Sequence, residues 1–169
     1  VLMGGGRNHF TPYDKARNPK GRADGRDMMA EFAARGYTVA LDRNSMHAAP
    51  LARKFVGIYS ADTHLDFESV RRPEQPSLAE MTRKAIDLLA HDPDGFFLMV
   101  EGGKIDHALH GSNAKNALVD AVAMDDAVQA AVDKMRAIDP GLKNTLIVVT
   151  ADHDHTLTFN GYAKRGNPI

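Results

Sequence analysis

Apolar and polar positions fall in blocks along the chain, and the blocks predict alternating strands and helices. Val1-Leu2-Met3 reads as the stump of a strand running into a Gly4-Gly5-Gly6 turn, and residues 9–26 as a long polar loop. Asp27 to Arg35 carries Met28, Met29, Phe32 and Ala33 at helical spacing and stops at Gly36. Tyr37 to Leu41 and Phe55 to Tyr59 read as strands. After a loop containing Pro73 and Pro76, Ser77-Leu78-Ala79-Glu80 has capping-box spacing. It opens a helix striped by Leu78, Met81, Ala85, Leu88 and Leu89 and broken at Asp92-Pro93-Asp94-Gly95. Phe96 to Val100 and Leu146 to Val149 are continuous apolar runs, as expected of strands buried on both faces of a parallel sheet. A helix of about Asn113 to Ile138 separates them, with Ala117, Leu118, Ala121, Val122, Val128, Ala131, Val132 and Met135 as its stripe. The order predicts an α/β fold: an open, mostly parallel sheet flanked by helices.

Composition narrows the function classes. The 169 residues are 43% hydrophobic and 25% charged, ordinary for a globular protein. Lys plus Arg number 21 and Asp plus Glu 22, so no global field attracts nucleic acid or an anionic membrane, and nucleic-acid binding is not expected. The absence of cysteine excludes disulfides, thiolate zinc sites and cysteine nucleophiles. The longest apolar run, Phe96 to Val100, is too short to cross a bilayer, so no transmembrane segment is expected. The first residues show no signal-peptide pattern, and any signal peptide is expected outside this sequence.

The candidate chemistry follows the two apolar runs. In open α/β sheets ligands collect beyond the carboxyl ends of the strands. Phe96 to Val100 runs into Glu101-Gly102-Gly103-Lys104-Ile105-Asp106-His107-Ala108-Leu109-His110, and Leu146 to Thr150 into Ala151-Asp152-His153-Asp154-His155. Carboxylate with imidazole suits Zn²⁺, and a further carboxylate suits Mg²⁺. Asp106 and His110, four apart, share one face of a helical turn and can reach one metal. Taken singly, that pair also fits a polar turn entering a helix, and Asp152-His153 a solvated strand end. Glu101 directly after five apolar residues calls for a metal or an ion pair, for which Lys104 is the nearby candidate. His155 fits a ligand, a supporting residue or a surface histidine. His9, His47, His64 and His91 read as solvated polar residues.

Val100-Glu101-Gly102-Gly103-Lys104-Ile105-Asp106-His107-Ala108-Leu109-His110 closely resembles the V-E-G-G-R-I-D-H-x-x-H segment of alkaline phosphatases, and Thr150-Ala151-Asp152-His153-Asp154-His155 their T-A-D-H-x-H segment. Met124-Asp125-Asp126-Ala127 resembles the intervening family helix. Met3-Gly4-Gly5-Gly6-Arg7 and Asn160-Gly161-Tyr162-Ala163-Lys164-Arg165-Gly166-Asn167 resemble further family segments. The resemblance runs over essentially the whole chain. It implies a phosphate-monoester hydrolase with two Zn²⁺ and one Mg²⁺. Asp106 and His110 would bind one zinc, Asp152 and His153 the other, and Glu101 the magnesium. His155 would orient the Asp106 carboxylate, and His107 would belong to the substrate surroundings. The implied reaction is a two-step in-line displacement by a serine, with the metals clamping the attacking and leaving oxygens. The resemblance also implies small-molecule phosphomonoester substrates, a homodimer, and a periplasmic or secreted location.

The sequence departs from the family in what it contains. The family's nucleophile stands in an Asp-Ser-Ala segment, and no such segment occurs here. Residues 1–169 are therefore expected to form a partial alkaline phosphatase-like domain, an incomplete fragment without the N-terminal nucleophile region or the C-terminal end, and by itself inactive. Animal members have an extra calcium site, and Ser60 and Gln75 stand at the positions aligned with its acidic residues, which puts that site in doubt. The alternatives are a phosphodiesterase or mutase of the same superfamily, and a non-catalytic metal-binding fragment.

Overall fold

Three short strands, β1 (Leu2–Gly4), β2 (Thr38–Ala40) and β3 (Phe55–Ile58), form a parallel sheet in the order β1-β3-β2. Leu2 is in register with Val56, and Thr38 with Phe55. The computed structural model describes residues 1–169 except Arg53, Phe159, Asn160, Ala163, Pro168 and Ile169. β3 is buried along its whole length, as a central strand should be. Because all three strands run the same way, their carboxyl ends share one rim. This is the small open parallel sheet with flanking helices that the sequence predicts.

The helices follow their local signals. α1 (Met28–Ala34) is capped by the Asp27 carboxylate, which accepts from the Ala30 N–H, and its end passes into Gly36 at φ 78°, a conformation that favours glycine. α2 (Arg43–Ala48) has a capping box of Asp42 and Ser45, a D-x-x-S spacing that the sequence reading passed over. α3 (Leu78–Leu89) has the predicted box of Ser77 and Glu80. Burial opposes ionisation of Glu80, but the Ser77 N–H, Arg43 and His47 outweigh it and hold the carboxyl down at about 2. Ser77→Ala is expected to cost about 1 kcal/mol, read as a lower urea midpoint at unchanged slope. An unchanged midpoint would mean that the cap makes no net contribution.

α4 (Lys104–His110) and α5 (Ala114–Ile138) complete the helical side. α5 begins at Asn113, whose side chain caps the Asn116 N–H, and spans the predicted range. Its buried face is a line of Ala117, Asp120, Ala127 and Ala130, rotated from the predicted stripe; Leu118 and Val122 are exposed. Small residues let α5 approach α3 closely, with Ala79, Ala127 and Ala130 in one cluster and Lys134 Nζ 2.5 Å from Asp87. The main core joins Ala40, Met46, Phe55, Tyr59 and Leu88.

One expectation fails. Neither Phe96 to Val100 nor Leu146 to Val149 is a strand, and Phe97, Met99, Leu146 and Val148 are 87%, 69%, 87% and 71% exposed. A strand exists only where a neighbour takes its N–H and C=O groups. Among the described residues no strand pairs with either segment. Residues 97–103 instead border a cavity of about 620 Å³ that also touches β1, α3 and α5. No helix among the described residues is long and apolar enough to cross a membrane.

Candidate metal centre

α4 sets the first half of the site. It starts directly after Gly103 and is a single two-turn helix, so Asp106 and His110 sit on one face, with Oδ2 of Asp106 3.5 Å from Nε2 of His110. The second half comes from the extended segment after Leu146 to Thr150, where Oδ2 of Asp152 is 3.6 Å from Nε2 of His153. Both separations are too long for good hydrogen bonds. Two donors at about 2.0–2.2 Å from one tetrahedral ion stand roughly 3.4 Å apart, so each pair has the spacing of donors on a shared ion. Asp106 links the halves, with its Oδ1 3.9 Å from Nε2 of His153. That Oδ1 is buried and has no hydrogen-bond partner, an arrangement that is costly unless something completes it.

The imidazoles are set for different tasks. Nδ1 of His153 lies 2.7 Å from the Asp154 carbonyl, which can only accept. The Nδ1 proton is thereby fixed, and the lone pair of the neutral ring falls on Nε2, facing both carboxylates. A ring N–H donated to a backbone carbonyl is the usual support of a metal-binding histidine. The Asp154 carbonyl, then the Asp152 charge, push the His153 pKa up, so acid would compete with a cation for Nε2. In His155, Nδ1 accepts from the Leu157 N–H at 3.2 Å. A neutral His155 then carries its proton on Nε2 and can donate to a carboxylate. Asp106, His110 and His155 each offer an atom within 4.8 Å of the others, and the His110 and His155 rings stand nearly perpendicular, 4.8 Å apart.

Glu101 is exposed, contrary to the expectation of a carboxylate closed in after a buried strand, because the preceding segment is itself uncovered. Its carboxylate stands over Gly103 and not with the Asp106 group; a Cβ at Gly103 would meet Oε1 of Glu101 at 3.1 Å. Lys104 does not pair with it: the ammonium lies 4.1 Å above the Phe67 ring. His107 stands outside the metal-type cluster, against His64 with ring centroids 4.3 Å apart. His64, expected from the sequence to be a solvated polar residue, is half-buried and packs on His107 instead. The signal was available, since its loop follows the carboxyl end of β3 as Glu101 follows Val100. Ser60 and Gln75 are buried; Oε1 of Gln75 accepts from the Asp66 N–H at 2.9 Å, while its Nε2 is buried without a hydrogen-bond partner. In the segment Asn160 to Asn167, Asn160 and Ala163 lie outside the described residues.

The model of one family, alkaline phosphatase, matches residues 1–169. The chain belongs to the alkaline phosphatase family. An alkaline phosphatase of Gadus morhua is 36% identical over 184 residues, an alignment covering all of this chain and 37% of that protein. The crystal structure of Thermus thermophilus alkaline phosphatase matches with a TM-score of 0.68 at 35% identity, over 82% of this chain and 28% of that one. A TAB5 alkaline phosphatase variant with Mg bound in its M3 site matches at 0.59 and 26% identity, over 82% and 37%. The chain thus spans little more than a third of the length of the curated relative. Its α/β fold is that of the corresponding part of the alkaline phosphatases.

Proposed function

We propose that the protein containing this chain is a phosphomonoesterase of the alkaline phosphatase type, acting on small phosphate monoesters. The observation that carries the reading is the two carboxylate–imidazole pairs, at 3.5 and 3.6 Å, joined through Asp106. Asp106 and His110 would hold one zinc ion, Asp152 and His153 a second, and Glu101 a magnesium ion. The orphaned Oδ1 of Asp106 and the donor set of carboxylate and imidazole fit such ions. When bound, the zinc pair would supply Lewis-acid stabilisation of the two oxygens that change bonding at phosphorus. The residues of this chain do the positioning. The Asp154 carbonyl orients His153, and His155 offers its Nε2 proton to orient Asp106. His107, beside the cluster, faces the substrate. The serine nucleophile of the proposed reaction lies outside this sequence, which has no Asp-Ser-Ala segment. By the same family reading the enzyme is homodimeric and exported.

Chelation with EDTA is expected to abolish hydrolysis of p-nitrophenyl phosphate by the full-length protein, and Zn²⁺ plus Mg²⁺ to restore it. The 169-residue chain alone is expected to bind zinc weakly and not to turn over. Metal-independent turnover, or robust turnover by the isolated chain, would remove this reading. Preference for bis(p-nitrophenyl) phosphate would assign the protein to the phosphodiesterases instead.

A further inference from the structure

We propose that His64 is a positioning residue for His107, holding that imidazole where substrate phosphate is bound; this role rests on the phosphomonoesterase reading above. The placement of His64 is set by backbone. The loop leaving β3 turns back over the glycine turn that ends β1. The Tyr59 N–H donates to the Gly4 carbonyl at 2.8 Å, Arg7 N–H to Ser60 at 2.9 Å and Asn8 N–H to Ala61 at 3.2 Å. At Gly5 a Cβ would lie 2.8 Å from the Thr63 carbonyl oxygen and 2.9 Å from the His64 backbone, so the loop seats against bare backbone. His64 is therefore delivered to the rim formed by the carboxyl ends of the parallel strands, where this fold collects its ligands.

The ring is fixed as well. Nδ1 of His64 is 3.0 Å from Oγ1 of Thr63, and a Cβ on Gly103 would approach Cδ2 of His64 to 3.7 Å, so the imidazole lies over the start of α4. From there it meets the His107 ring edge to face, 4.3 Å between centroids and 62° between planes. Burial, then the neighbouring His107 and Lys104, lower the His64 pKa, so His64 packs as a neutral ring. His107, by contrast, is exposed on α4. Among the described residues its side chain makes no hydrogen bond, and the contact its ring makes is with His64. An exposed imidazole that must be ordered on binding gives up affinity, and prior ordering restores it.

The test is steady-state kinetics of the full-length protein with an aryl phosphate, and inhibition by inorganic phosphate. His64→Ala is expected to raise KM and the phosphate inhibition constant together, by roughly two- to tenfold, with kcat within about twofold. The double variant His64→Ala/His107→Ala should bind no more weakly than His107→Ala, since the first residue acts through the second. His64→Phe, which keeps a ring against His107 without its nitrogens, should retain most of the wild-type affinity. Unchanged KM in His64→Ala, multiplied effects in the double variant, or no rescue by phenylalanine would each overturn the proposal. A wild-type protein without hydrolysis would sink the phosphomonoesterase reading instead. The ring contact is then read by proton NMR as a nuclear Overhauser effect between the two imidazoles, and its absence also overturns the proposal.

Discussion

Asp106→Ala in the full-length protein is expected to lower kcat/KM for an aryl phosphate by more than about a hundredfold, the upper end of what loss of an outer-shell partner does. Each oxygen of this carboxylate faces a different imidazole without hydrogen-bonding to it: Oδ2 is 3.5 Å from His110 and the orphaned Oδ1 3.9 Å from His153. Removing the side chain opens one donor pair and cuts the link to the other. Asp152→Ala breaks only the 3.6 Å pair with His153, so its zinc loss should be confined to one ion where Asp106→Ala affects both. Zinc content of the purified variants, measured beside turnover, separates the two cases. Asp106→Asn keeps the shape but removes the charge, and a cation bound by carboxylate needs the charge. An asparagine variant with wild-type zinc content and turnover would show that the Asp106 cluster is a structural hydrogen-bond group and not a metal site.

Much of this site was legible because it is local. Asp106 and His110 converge through one helical turn, and an i,i+4 pair needs no knowledge of the rest of the fold. The Ser77–Glu80 box and the Asn113 cap are equally local, and both helices begin where the sequence placed them. What escaped depends on tertiary packing. The α5 stripe was read from its largest apolar residues, yet α3 approaches along Ala127 and Ala130 because small residues permit the closer contact. Consequently Leu118 and Val122 face outward. His64 stands in a segment rich in polar residues, and only the docking of its loop on Gly5 brings it to His107. Phe96 to Val100 has the composition of a buried strand, but composition reports the surroundings a segment can occupy, and pairing needs a partner strand.

That last distinction can be measured with two phenylalanines. Phe55 is fully buried in the central strand, packed in the cluster that ties Ala40 of β2 and Met46 of α2 to Leu88 of α3. Phe55→Ala removes a ring that contacts both layers, and rigid neighbours on β3 limit how far the space can collapse. The expected loss is about 3–5 kcal/mol, a large fraction of the roughly 5–15 kcal/mol that holds a domain folded. Urea unfolding of the isolated chain should show a much lower midpoint, or no folded baseline at all. Phe97 has the same side chain but is 87% exposed, and Phe97→Ala should change stability by no more than about 0.5 kcal/mol. Hydrophobicity is identical in the two substitutions, so any difference reports burial alone. If Phe97→Ala costs as much as Phe55→Ala, residues 96–100 are covered in solution, as their apolar run predicts. If it is neutral in this chain yet costly in the full-length protein, the strand forms only where the longer chain supplies its neighbour, and Glu101 at its end is placed by that same pairing.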